Sequence, residues 1–165
     1  MNGLVSFFIN IFSGLSKEAV VFIISLLPIL ELRGGMLAAT LLKVSYIKAL
    51  LICVVGNILP IPFVLLFLNF IFELMKKWHF SRKIVIWLEK KADSKKSQIE
   101  KYGYWGLILF VGIPLPGTGA WTGALIAVLL GLNKKKSFLC ILLGVLLASL
   151  IMSVLSYGVL GNLIH

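Results

Sequence analysis

Two stretches without a single charge dominate this sequence: residues 49–72 give 24 uncharged positions and residues 137–164 give 28. About 20 apolar residues cross the hydrocarbon core of a bilayer as one helix, so each stretch is long enough for one crossing. Backbone inside lipid must satisfy its own hydrogen bonds, which restricts a chain with two such runs to helix. Composition agrees. Hydrophobic residues make up 60% of the 165 and charged residues 13%, against roughly half and a quarter in soluble domains. The expected fold is all-α and membrane-embedded, a single domain over residues 1–165 with no room for a separate soluble one.

The net charge of +10 is unevenly spread. Residues 76–101 carry nine Lys or Arg and three Asp or Glu, a surplus of six. A basic segment between hydrophobic ones orients a membrane protein with that segment in the cytoplasm and offers a surface to anionic membrane lipids. Nucleic acid is not an expected partner, because no folded binding module accompanies the charge. Within this linker Phe80, Ile84, Trp87 and Leu88 share one helical face, flanked by Arg82, Lys83, Lys90 and Lys91. That pattern predicts an amphipathic helix on the membrane surface.

The other apolar pieces are too short to span. Residues 1–16 are uncharged but rich in Asn, Gly and Ser, and predict an N-terminal helix lying at the interface. Residues 19–30 end at Pro28 and Glu31-Leu32-Arg33; Gly34-Gly35 follows, then a second short piece, 36–42. Two half-length helices around a glycine bend predict a re-entrant hairpin, followed by a span over 47–72 broken by Asn57, Pro60 and Pro62. The second half has the same plan: a short piece at 102–113, the bend Pro114-Leu115-Pro116-Gly117-Thr118-Gly119, a return over 120–132, three lysines and a span at 138–160. A shift of 88 positions aligns Pro28 with Pro116, Gly35 with Gly123, Ala39 with Ala127, Lys48 with Lys136 and Gly56 with Gly144. A hairpin crosses zero times and a span once, so the halves, 17–75 and 102–165, start on opposite faces. Two inverted-topology repeats are an architecture of secondary transporters.

Charged groups inside lipid cost at least about 2.5–3.5 kcal/mol each at the bilayer centre, so Glu31 and Arg33 are the leading functional candidates. Arg33 suits an anion, and Glu31 a coupling proton if desolvation raises its pKa. A structural ion pair pinning the bend is the competing reading. Gly117 and Gly119 permit a tight turn and close ligand approach, and free amides from Thr118 to Trp121 would attract phosphate or carboxylate. Asn57 either lines a pathway or binds a carbonyl freed by Pro60. Gly34 and Pro116 complete the two candidate tips, and Trp121 and Thr122 either contact ligand or pack. Cys53 and Cys140 lack nearby ligands and suit packing, so neither a metal nor a cofactor is expected. No secretory signal is evident at the start.

Glu31-Leu32-Arg33-Gly34, Gly56-Asn57 through Pro62, and Pro114-Leu115-Pro116-Gly117-Thr118-Gly119-Ala120-Trp121 resemble the small multi-drug export protein family, over residues 18–158. One departure is that the family's first motif usually continues Ala-Ile-Pro, whereas this chain has Gly35-Met36-Leu37. The resemblance extends distantly to the DedA, or SNARE-associated (VTT), superfamily, whose members have paired re-entrant hairpins and handle lipids such as undecaprenyl phosphate. It implies a multi-pass protein of a bacterial or archaeal cell membrane that transports a small-molecule or lipid substrate. The expected function is transport of an amphipathic or anionic molecule, with protons as a coupling partner and a homodimer completing the pathway. An enzyme is not expected, since neither bend holds a His or Cys. A non-transporting scaffold or assembly factor is the alternative.

Overall fold

The computed structural model describes residues 2–12, 14–76, 102–115 and 117–160, together with Ile86 and Lys90. All regular structure among the described residues is helical. The helices are α1 (Asn2–Ile11), α2 (Lys17–Leu26), α3 (Glu31–Leu41), α4 (Tyr46–Ile58) and α5 (Ile61–Lys76). After the linker come α6 (Tyr102–Gly112), α7 (Ala120–Leu129) and α8 (Lys134–Ser153), which runs on into a π-helical segment, Val154–Leu160. The predicted surface helix at Phe80, Ile84, Trp87 and Leu88 lies outside the described residues.

Two stretches are long and apolar enough to cross a bilayer: Tyr46–Leu68, of 23 residues, and Lys134–Val159, of 26. The first includes the junction of α4 and α5, where Pro60 and Pro62 remove two amide donors while Leu59 N still bonds Val55 O and Val64 N bonds Pro60 O, each at 3.0 Å. Asn57 was expected to help break this span, yet it sits inside α4 and the break falls at the prolines. The second stretch starts at Lys134 rather than after the lysines, because the Asn133 side chain accepts Lys136 N at 3.1 Å and caps the helix there. By contrast α2, α3 and α7 have 10, 11 and 10 residues, about 15 Å each, half the hydrocarbon thickness.

The local structure repeats at the same 88-residue offset. Both long stretches begin at equivalent positions, 46 and 134. The helix before each ends in one hydrogen-bonded cap: Lys43 N bonds Thr40 O and Val44 N bonds Ala39 O, and Gly131 N bonds Val128 O and Leu132 N bonds Ala127 O. Lys43 and Gly131 hold the left-handed conformation such a cap requires, with φ 54° and 63°. Packing repeats too. A Cβ at Gly35 of α3 would press on Ser25 of α2 and Cys53 of α4, while one at Gly123 of α7 would press on Val111 of α6 and lie 3.8 Å from Ile141 of α8.

One expectation needs correction. The first bend was placed at Gly34-Gly35, but the chain turns over residues 27–30, and both glycines lie inside α3. Pro28 stops α2 earlier than the glycines would. Their role is close approach: a Cβ at Gly35 would lie 1.9 Å from Ser25 Oγ, and one at Gly34 2.6 Å from Leu30 Cβ. Met36 and Leu37 are buried in the same helix.

Ile24, Leu32, Met36, Cys53, Leu107, Val111 and Ile141 form the interior. The outside is apolar as well. Ile47, Leu51, Val55, Leu59, Phe63 and Phe67 follow at four-residue intervals along α4 and α5, all exposed, as are Leu139, Leu143 and Leu150 on α8 and Val154 just beyond it. Uninterrupted apolar ridges of that length suit lipid contact rather than water, consistent with a membrane location.

Candidate functional site

The two bends meet. Glu31 opens α3 with φ 51°, an uncommon conformation for a side-chain-bearing residue. Its carboxylate, in a residue 5% exposed, crosses to the second bend and sits on the N-terminus of α7. Oε2 accepts from Ala120 N and Oε1 from Trp121 N, each at 3.2 Å. Two of the orphan donors at that terminus are thereby satisfied, and the negative charge faces the positive end of the helix dipole. Gly119 makes this fit possible: any Cβ there would collide with the carboxylate.

Arg33 serves the other side of the same bend. Prolines 114 and 116 supply no amide hydrogens, and carbonyls around them need donors from elsewhere. The guanidinium donates to Leu115 O, to Ile113 O at 3.3 Å and to Thr118 Oγ1 at 2.7 Å. The Thr118 hydroxyl, 2.8 Å from Leu115 O and 2.9 Å from Ile113 O, passes its own hydrogen to one of them. Glu31 and Arg33 thus act on opposite ends of a helix break, carboxylate on the amide end and guanidinium on the carbonyl end. Among the described residues the ion pair within 4.0 Å is Lys48–Glu18, on the surface.

Beside this clasp lies a cavity of about 400 Å³, lined by both bends, with Glu31, Arg33, Gly34, Gly117, Thr118 and Thr122 in its wall. Of the residues singled out in the sequence, these are brought together with Gly119. Trp121 joins through its main-chain amide; its buried indole Nε1 has no hydrogen-bond partner among the described residues. Asn57 is elsewhere. It is 2% exposed, its side-chain oxygen has no partner among the described residues, and it does not border this cavity. Pro116 lies outside the described residues. The carbonyls of Ile113 and Leu115 escaped the sequence reading, although the unpaired acceptors of a proline-rich bend were a signal for them.

Fold and site together define an all-helical protein with two long apolar helices and a charged clasp joining two helix bends. Residues 31–151 match the family described as "Putative small multi-drug export protein". The chain belongs to that family. Among curated proteins and solved structures, none matches the chain.

Proposed function

We propose that this chain is a small membrane transporter of an amphipathic or anionic molecule, a drug-like anion or a lipid carrier phosphate. The observation that carries the reading is the Glu31 carboxylate held by Ala120 N and Trp121 N across the two bends. A substrate carboxylate or phosphate would make the same two bonds at a helix N-terminus. Glu31 is then the protein's own occupant of the anion site, displaced when substrate enters from the neighbouring cavity. Arg33, already at the cavity wall, supplies the opposing positive charge. The family description, which names export, agrees. The chemistry is ion pairing and hydrogen bonding, that of a carrier rather than an enzyme.

In this reading each half is a re-entrant hairpin plus a span, with the second half inverted relative to the first. Half-length helices and the 88-residue repeat of caps support it. So does the contact of Glu31 with Gly119, which are also 88 positions apart. Equivalent residues touch where two halves meet on a common two-fold axis. Residues 76–101 and 134–136 face the cytoplasm of a bacterial or archaeal cell, protons couple through Glu31, and a homodimer encloses the pathway.

One observation favours a second reading, a non-transporting scaffold: Glu31 and Arg33 brace the second bend, as a pair that pins it would. The carboxylate accepts from Ala120 N and Trp121 N, and the guanidinium donates to Ile113 O, Leu115 O and Thr118 Oγ1. Flux of an amphipathic anion into proteoliposomes separates the two. Transport by the wild type that is lost or slowed in Glu31→Gln is expected of the carrier. Wild-type vesicles no more permeable than empty ones would favour the scaffold.

A further inference from the structure

Lys134, Lys135 and Lys136 open α8, whose first turn holds no acidic residue. Cations at a helix N-terminus oppose the helix dipole, so three lysines stand where the fold alone disfavours them. Lys136 and its repeat equivalent Lys48 both find partners inside the chain: Lys136 lies 5.9 Å from the centre of the Tyr104 ring, and Lys48 3.8 Å from a Glu18 oxygen. Lys134 and Lys135 correspond to Tyr46 and Ile47 in the first half, so these two charges belong to the second half alone. They border a cavity of about 420 Å³ between α5 and α8, whose other walls are Pro62, Leu65, Leu66, Phe138 and Leu139. Lys134 Nζ reaches to 3.5 Å from Leu66 O, which places the ammonium at the groove itself.

We propose that this groove binds one anionic phospholipid, with its phosphodiester between Lys134 and Lys135 and an acyl chain along Leu65, Leu66, Phe138 and Leu139. The groove offers two cations at one end and hydrocarbon elsewhere, a complement to that lipid class. A zwitterionic headgroup would bring a cation of its own against the lysines. The site is separate from the clasp at Glu31 and does not depend on transport.

The test uses the full chain in nanodiscs of equal parts phosphatidylglycerol and phosphatidylcholine, with native mass spectrometry counting the lipids retained. Wild type should retain phosphatidylglycerol preferentially, and Lys134→Gln with Lys135→Gln should lower the preference by about fivefold per lysine. Lys136→Gln, whose lysine faces Tyr104, should leave it unchanged, as should the charge-keeping pair Lys134→Arg and Lys135→Arg. Leu139→Trp, which fills the groove from an exposed position, should reduce retention of the lipid. The proposal is overturned by wild type without preference, or by preference that survives in the double Gln variant. An equal loss in Lys136→Gln would also overturn it, since that marks diffuse surface charge. Undiminished retention in Leu139→Trp would do the same, because the groove would then not hold the chain.

Discussion

Glu31 and Gly119 share one volume: a Cβ on Gly119 would lie 1.8 Å from Glu31 Oε2. Substituting Gly119→Ala should therefore expel the carboxylate from the α7 amides and leave a buried charge without partners. The expected cost is about 3–5 kcal/mol of stability, measured by equilibrium unfolding in detergent. Gly117, with φ 78° and open space around it, is the control, and Gly117→Ala should cost only the backbone term of about 1–2 kcal/mol. Combining Gly119→Ala with Glu31→Ala should recover part of the loss. Equal effects of the two alanine substitutions would contradict the shared-volume account.

The three acceptors of Arg33 lie on one bend and match a planar fork. Arg33→Lys retains the charge but reaches fewer of them, so it should fall between wild type and Arg33→Ala. Thr118→Val removes one acceptor and one donor and should cost about 1 kcal/mol, less than Arg33→Ala. Thermal unfolding of the three variants in one detergent orders them.

Gly35→Ala should be destabilising because its Cβ would press on Ser25 Oγ. That oxygen is a removable atom: it donates to Val21 O at 2.7 Å in the same helix. The pair Ser25→Ala with Gly35→Ala should be more stable than Gly35→Ala alone. If the second change adds its own loss instead, the helices are not packed through these two residues.

Much of this was legible from sequence. The uncharged runs gave the two long helices, and the 88-residue shift was legible from aligned Pro, Gly, Ala and Lys pairs. The equivalent caps at Lys43 and Gly131 were not, since a lysine carries no signal for a left-handed cap. Pairing Glu31-Leu32-Arg33 with the second bend was legible only in outline. Charges inside an apolar run predict a site, but a sequence does not say which of two helix ends each charge will meet. The carboxylate met the amides that were expected to await a ligand. The first bend was misplaced because glycine signals both turning and close approach, and at Gly34 and Gly35 approach prevailed. Asn57 stayed unassigned for a related reason, since polarity inside a helix does not reveal which cavity the side chain borders.

On the proposed topology, single cysteines placed in residues 76–101 and 134–136 should both be protected from impermeant reagents in intact cells. Labelling of one region and protection of the other would rule out the inverted arrangement.

Proton coupling predicts a distinct pattern. An imposed pH gradient should stimulate flux through wild-type proteoliposomes and have no effect on Glu31→Gln. Stimulation that persists unchanged in the variant would assign the proton to another group.

The central claim, that substrate anion binds where the two bends meet, is tested most directly at Arg33. Uptake of a fluorescent long-chain alkyl phosphate would be measured in proteoliposomes holding wild type, Arg33→Lys or Arg33→Ala, each checked for matching helical content. The account predicts uptake by wild type, a reduced rate with lysine and none above empty vesicles with alanine. A folded Arg33→Ala protein that transports at the wild-type rate would contradict it.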